Sequence, residues 1–442
     1  MFRFFLILWL FTTILSAQES LHKTARHFQQ MIEKWHLHHG QIRSVHFQNK
    51  SKKSLSAKQD NTDSALVNGK YLAALSFQYA VEPNDKTLAM VKRTLQTFYT
   101  LTHISGTPGL VCREFYLGEA KKQEYHFKAS EAAYKDFSFK GQGNRDQTTG
   151  VLWGLLCAHQ LVNEPYCKEL SRYLLSVIVN AVYQEPENWQ DSWYYLSSWQ
   201  IRQAGSDKTI RLSSNFKLLC LAIGHHIIKD PVYTEPYNDY FDSYFNIENP
   251  FESTYRVTEY YSNNLKLMRY LSVLFLENNP QKRQHIIDKV NSVFALTYDH
   301  QNSYFTYLTV LASDEKNIKY LDKKYRLIYR LFEAKESLKQ FNEEYLWSSL
   351  PKVPKKEQQY PFYYYLMRYG KYLIKGSRPP RHLSQEVLAV SQRLPEAFLW
   401  HRNPYSLAGE QDYNRPLTRR TGVDFLIAYW LGRYCHLIGE NE

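Results

Sequence analysis

Cysteine is sparse in this chain of 442 residues, with five in all: Cys112, Cys157, Cys167, Cys220 and Cys435. The number is odd and the spacings match no zinc-binding pattern, so neither a disulfide scaffold nor a structural zinc module is encoded. Cys157, Cys220 and Cys435 lie in apolar helical runs and read as small core residues. A Cys157–Cys167 bridge across one helical hairpin stays open for an oxidising compartment. Long apolar runs are also scarce. Beyond the first residues none reaches the roughly 20 residues that a membrane-spanning helix needs. There is no G-x-S-x-G, which excludes a nucleophile elbow. No glycine-rich loop follows a strand, which argues against nucleotide chemistry. Neither a helix-turn-helix nor a zinc finger is present, and nucleic acid is not an expected partner. Histidines gather near the N-terminus, at His22, His27, His36, His38, His39 and His46, but no acid stands at the spacing of a catalytic zinc helix. No metal or other cofactor is expected.

One sign of charge is in excess: 55 Lys and Arg against 43 Asp and Glu, a formal net charge of +12. Such a balance favours anionic partners. The basic residues are scattered, and the densest stretches, 50–58 and 371–381, read as loops. The opening "MFRFFLILWLFTTILSAQES" has a basic residue, a short apolar run, then Ser16 and Ala17. That is the layout of a secretory signal. The expectation is a periplasmic or secreted protein cut near Ala17, with one domain over 18–442 and no integral membrane span after the cut.

Apolar residues make up 44% of the chain, and their spacing is helical. One kind of segment carries a single apolar stripe, as at Leu88, Val91, Leu95, Phe98 and Leu101. The other is apolar nearly all round, as in 151–161, 216–223, 265–276 and 425–431, and must be buried on all sides. Alternation of the two predicts two concentric layers. Inner helices are expected at 64–81, 147–163, 213–228, 262–277, 360–374 and 422–437. Outer ones are expected at 21–38, 85–104, 167–183, 280–298, 318–341 and 384–394. Strand signals are few, and 303–311 reads as either a short strand or a helix.

Polar residues stand before the inner segments: "DNTD" at 60–63, "NRDQTT" at 144–149, "SSN" at 213–215, "SNN" at 262–264 and "TGVD" at 421–424. Capping explains one or two such residues per helix, with Asp60 the cap of its pair. In a ring of helical hairpins the inner helices run the same way, so these clusters and the positive helix ends converge on one mouth.

"DNTDSALVNGKYLAALSFQYAV", "LTHISGTPGLVCREF", "NRDQTTGVLWGLLCAHQLV", "FLWHRNPYSL" and "GVDFLIAYWLGRY" together resemble exported bacterial (α/α)6-toroid proteins of the six-hairpin glycosidase-like group. The resemblance covers 55–185 and 395–436. It implies an all-α (α/α)6 toroid of about twelve helices and leaves the activity open, because this fold hosts hydrolases, lyases and non-sugar enzymes.

Glycoside hydrolysis needs two carboxyl groups. Asp63 and Asp146 stand at the fronts of consecutive inner helices, and Asp424 is a third candidate. Packed helices lie about 8–10 Å apart, which suits an inverting pair. Asp146, beside an apolar turn, is expected to have the raised pKa of an acid. Arg113 and Arg402 suit bidentate recognition of a sugar carboxylate. Gln147, Asn263 and Asn264 are further substrate-binding candidates. Aromatic residues are 16% of the chain, 36 of them Tyr. Trp153, Trp400 and Trp430 lie near the mouth motifs as candidate sugar platforms, whereas 360–372 reads as interlayer packing. The expected partner is an anionic poly- or oligosaccharide. A lyase would draw instead on Tyr260, Tyr261, Asn263 and Asn264, or on His225 and His226. A non-catalytic envelope protein that binds glycan or a protein partner through the same mouth is the reading from another class.

Overall fold

The computed structural model describes residues 20–47, 55–58, 63–122, 125–141, 143–184, 214–246, 260–343, 346, 387–393, 400, 404 and 418–442. The helices described there are, in chain order, α1 (Leu21–Met31), α2 (Ser64–Val81), α3 (Asp85–His103), α4 (Arg145–Leu161), α5 (Pro165–Gln184), α6 (Ser214–Ile223), α7 (Pro231–Asn246), α8 (Tyr261–Leu276), α9 (Pro280–Thr297), α10 (Ser303–Ala312), α11 (Glu315–Tyr325), α12 (Leu327–Lys339) and α13 (Val423–Tyr434).

Burial divides them into two kinds. Every residue of α2 from Ser64 through Phe77 is buried, as is every residue of α13 from Val423 through Arg433. The stretches Asn263–Leu274 of α8 and Ser303–Thr309 of α10 are buried in the same way. Gln147–Ala158 of α4 and the 215–223 stretch of α6 are buried likewise, and the remaining helices bury a stripe. In α3 it runs through Val91, Leu95, Phe98 and Leu101, and Asn84 caps the helix by accepting the Thr87 N–H at 2.9 Å. In α9 the front is set by Asn279, which accepts the Gln281 and Lys282 N–H groups, and by Pro280 in the first turn. A stripe needs one neighbouring layer, whereas a helix without a wet face needs neighbours all round.

The contacts follow that logic. Inner helices α2, α4, α8, α10 and α13 pack in a closed circuit, α2 against α13 completing it, and α6 joins by packing on α8. Each of α2, α4, α6 and α8 leans on the stripe helix that follows it in the chain, α10 leans on α12, and α13 leans on α1. Six inner helices among the described residues, enclosed by an outer layer that starts at the N-terminus and closes on the C-terminal helix, make an (α/α)6 toroid.

Several elements differ from expectation. The sixth inner helix described is α10, in the stretch that read as either strand or helix; the expected inner helix at 360–374 lies outside the described residues. The expected outer helix 318–341 is two helices, broken where Arg326 takes a left-handed conformation at φ 59°. Helix α7 was not anticipated, because Pro236 lies inside it. The α6 segment ends at Ile223 and continues as a π turn, Gly224–Ile228, stopped by left-handed Lys229. Of the expected 384–394, the described part holds a short 3₁₀ turn, Val390–Gln392.

Eight short strands complete the described chain: β1 (Leu37–His38), β2 (Gln41–Ile42), β3 (Val45–Phe47), β4 (Leu55–Lys58), β5 (Glu114–Leu117), β6 (His126–Lys128), β7 (Phe137–Lys140) and β8 (Thr418–Arg419). β1 and β2 form a hairpin, β3 lies between β4 and β8, and β7 lies between β5 and β6, all antiparallel. The last of these sheets sits in the connection between α3 and α4.

Helices α2 and α4 touch through their backbones. A Cβ placed on Gly69 would lie 1.9 Å from the Gly150 carbonyl oxygen, and one on Gly154 would lie 2.5 Å from that of Gly69. No side-chain adjustment relieves a clash with backbone. Gly69→Ala is therefore expected to cost about 3 kcal/mol or more, measured by chemical denaturation. Gly439→Ala, where the nearest atom would be 3.5 Å away, is the control expected to stay near wild type.

Candidate functional site

The fronts of the inner helices meet at one end of the ring. Gln147, in the first turn of α4, accepts the Leu66 N–H of α2 through Oε1 at 3.1 Å. Arg269 of α8 donates from Nε to Thr149 Oγ1 of α4 at 2.8 Å and from Nη1 to Asn215 Oδ1 of α6 at 2.9 Å. Asn302, the cap of α10, donates to the hydroxyl of Tyr260 in front of α8 at 3.1 Å. Lys70 of α2 donates to Asp424 in the first turn of α13 at 3.0 Å and lies 5.9 Å from the Tyr304 ring centroid of α10. These links tie all six described inner helices together near their N-termini.

Asp63 occupies the cap position of α2, yet its side chain caps nothing. Its Oδ1 accepts from Arg113 Nη1 at 3.2 Å and from Gln147 Nε2. Gln147 has no freedom to turn over, because its Oε1 is committed to the Leu66 N–H. Burial pushes the Asp63 pKa up and the negative charge of Asp146 adds to the rise, against the lowering effects of Arg113, Gln147 and Lys140.

Arg113 is fixed by its own backbone. Its N–H donates to the Lys140 carbonyl at the end of β7 at 2.9 Å, and its carbonyl accepts the free Ala65 N–H at the front of α2 at 3.1 Å. The small sheet therefore aims this guanidinium at Asp63.

Asp146 is not a cap either. Asn144 is, accepting the Asp146 and Gln147 N–H groups at 3.0 Å each. The Asp146 carboxylate is half-buried, with Arg145 Nε and Arg269 Nη2 each 3.6 Å from Oδ1. Arg269 is buried and had not been singled out, because it lies in an otherwise apolar run. A cation inside a helix with no wet face was the signal that could have found it, and the same signal marks Lys70.

Asp424 is placed differently. It is buried and paired with buried Lys70. Burial lowers the Lys70 pKa, opposed by Asp424. Trp400 is buried and braces the front of α13 by donating from Nε1 to the Asp424 carbonyl at 2.8 Å. Trp153 is a correction: it is wholly buried and stacked on Phe275 at 5.6 Å between centroids, so it presents no face to a sugar. Trp430 is buried too. Gln147, expected to touch substrate, is buried and serves Asp63. Asn263 and Asn264 are buried at the front of α8. Arg402 and Asp60 lie outside the described residues, as do 1–17, 360–372 and 371–381.

The residues of the lyase reading do not share one place. Tyr260 is buried, and burial drives its pKa upward. His225 and His226 lie in the π turn at the far end of α6, stacked on or edge-on to Tyr237 and beside Glu277 at the end of α8. Of the N-terminal histidines, His36 is buried and bonded to the Arg43 carbonyl and Arg419, whereas His27 pairs with Glu343 at 2.9 Å. Among the described residues no group of three or more His, Cys, Asp or Glu is placed to hold a metal ion. The five cysteines are free thiols, so the Cys157–Cys167 bridge is not made. A cavity of about 470 Å³ lies away from the mouth, between α9 and α11 in the outer layer. No helix among the described residues is long and apolar enough to cross a membrane.

The buried pair beneath the mouth can be tested. Lys70→Met strands the Asp424 carboxylate and is expected to cost about 3–5 kcal/mol in chemical denaturation. Lys70→Met combined with Asp424→Leu is expected to recover most of that loss, because no buried charge is then left alone.

No protein-family model matches the chain, and no curated protein matches it. Among solved structures it is similar to the cellobiose 2-epimerase of Bacillus thermoamylovorans B4167, at 10% identity over 72% of this chain and 88% of that one, with a TM-score of 0.38.

Proposed function

We propose that the chain is an exported carbohydrate-active enzyme, a glycoside hydrolase that acts on an acidic glycan at the mouth of the ring. The observation that carries this reading is the Asp63–Asp146 pair. Two half-buried carboxyl groups stand at adjacent helix fronts, neither is spent on capping, and their surroundings differ. Asp63, with its raised pKa, is the general acid for the glycosidic oxygen. Asp146, flanked by two guanidinium groups, takes the proton of an attacking water or attacks the anomeric carbon itself. As the leaving oxygen gains the Asp63 proton, its bond to the anomeric carbon breaks and the new bond to oxygen forms. Arg113 and Arg145 add positive charge around the pair, which supports a substrate that carries carboxylate or another anionic group. Export rests on the first seventeen residues alone.

A second reading has one observation in its favour. Below the mouth Lys70, Asp424, Trp153 and Tyr304 are all buried, and a glycan-binding protein without catalysis needs no deep cavity there.

A screen of purified protein against acidic and neutral polysaccharides separates the two, with reducing ends and unsaturated products followed in parallel. Release of reducing ends from an acidic polymer is expected, and Asp63→Asn and Asp146→Asn are each expected to lower it by about 10²–10⁴-fold with the fold kept. Full activity in Asp146→Asn would remove the assignment; binding without cleavage in every protein would favour the second reading.

The pH profile tests the acid separately. A general acid must be protonated, so activity falls as pH rises through the Asp63 pKa. Arg113 lowers that pKa, so its removal raises it. Arg113→Gln is expected to move the alkaline limb of the kcat/KM profile to higher pH, whatever it does to the maximum. An unmoved limb would mean that Asp63 is not the group titrating.

A further inference from the structure

The broken outer helix pair α11–α12 carries a surface unlike the rest of the described chain. Five of its exposed side chains are cations, Lys316, Lys319, Lys323, Lys324 and Arg326, against two exposed acids at its front, Asp314 and Glu315, the latter paired with Lys319 at 2.6 Å. Among the same exposed positions stand large apolar side chains: Tyr320 at 48%, Ile328 at 47%, Tyr329 at 45% and Phe332 at 43%. These are four of the ten exposed large hydrophobic residues of the described chain, within one segment of 25 residues. The spacing keeps them on one stripe of each helix, because Asn317 and Leu321 of α11 and Leu327, Ala334 and Leu338 of α12 face inward.

The cations and rings are also interleaved. Lys324 Nζ lies 5.4 Å from the Tyr320 ring centroid and 5.3 Å from that of Tyr325, and the Arg326 guanidinium lies 4.7 Å from Tyr329. The break at Arg326 matters here. It lets Ile328 and Tyr329 emerge on the second helix directly after the lysine row of the first, with Asp322 holding the turn by accepting the Ile328 N–H at 2.9 Å.

We propose that the exposed face of α11–α12 docks on the anionic surface of a lipid membrane. Charge complementarity selects an anionic partner, since the exposed positions hold five cations against two acids, both at the front of α11. The apolar side chains select among anionic partners. A soluble polyanion gives Ile328 no apolar environment, whereas the headgroup boundary of a bilayer takes aliphatic and aromatic side chains in and leaves lysine ammonium groups at the phosphate level. Tyrosine suits that boundary for the same reason, with an apolar ring and a polar tip. Peripheral attachment of this kind needs no membrane-crossing helix.

Vesicle cosedimentation tests the proposal, with phosphatidylcholine vesicles made with and without phosphatidylglycerol. The full chain is used throughout, so its apolar N-terminal segment contributes alike to every protein compared and to both vesicle types. Wild type is expected to prefer phosphatidylglycerol vesicles, less so as salt is added. Removal of three cations in Lys316→Gln/Lys319→Gln/Lys323→Gln is expected to reduce that preference by about a hundredfold. Ile328→Ser is expected to weaken binding to phosphatidylglycerol vesicles severalfold while the salt dependence stays. All four positions are exposed, and circular dichroism checks that the fold is kept. Equal binding to both vesicle types, or wild-type binding by both variants, would overturn the proposal. So would a soluble anionic polysaccharide bound as tightly by Ile328→Ser as by wild type and displacing the protein from vesicles, since the partner would then be a polyanion without an apolar phase.

Discussion

Helices α2 and α4 meet backbone to backbone at Gly69, Gly150 and Gly154, and the geometry of the mouth depends on that contact. Ordinary helix packing keeps axes about 8–10 Å apart because side chains lie between them. Glycines on both helices remove that spacer. The fronts then come close enough for one amide, Gln147, to bond the Leu66 N–H of α2 and the Asp63 carboxyl in front of it. With larger residues at these crossings Gln147 would not reach, Asp63 would be left to cap its own helix, and no pair of carboxyl groups clear of capping would stand at neighbouring helix fronts.

The inner helices bury charge as well as apolar surface. Lys70, Arg269 and Asp424 all lie in helices without a wet face. Burial of an ion costs several kcal/mol unless it finds a partner, and each has found one on another helix. Lys70 and Asp424 join α2 to α13; Arg269 joins α8 to α4 and α6. Apolar side chains slide past one another at little cost, whereas a buried guanidinium with three directed contacts has few equivalent positions. Such groups set the rotation of each inner helix about its axis, so that Thr149, Asn215 and Asp146 face one another at the mouth.

Much of this was legible in the sequence. The switch between single-stripe and all-round apolar segments identified five of the six inner helices described, with boundaries within a few residues for α2 and α8. It left α10 undecided, because ten residues of "SYFTYLTVLA" are too short to show a helical period and are rich in strand-forming types. It could not show that Arg326 breaks the 318–341 segment, because a left-handed non-glycine residue carries no spacing signal. At the mouth the two aspartates were readable as residues at consecutive helix fronts. That Asp63 has a raised pKa was not, since that depends on how far the fold buries it and on the charge of Asp146 brought near it from the next inner helix. Trp153 was misplaced for a related reason. A helix apolar all round has no outward side, so its position along the helix, more than two turns below the front, rather than its chemistry decides whether it meets ligand.

The raised pKa of Asp63 is informative because so much at the mouth opposes it. Helix N-termini present positive potential, Arg113 is 3.2 Å away, and an amide donates to the same oxygen. In open solvent these would hold a carboxyl below its ordinary range. They fail to do so here because burial removes water from the carboxylate and Asp146 stands nearby with charge of the same sign. The two carboxyl groups therefore stand in unequal surroundings. Asp63 shares the desolvated seam between α2 and α4 with neutral Gln147, whereas Asp146 sits between two guanidinium groups. Acid–base chemistry needs that inequality, because two identical carboxyl groups would divide one proton between them and neither would be reliably donor or acceptor. The toroid supplies the inequality by setting one aspartate in front of its helix and the other inside the first turn of the next, a difference of two positions in register.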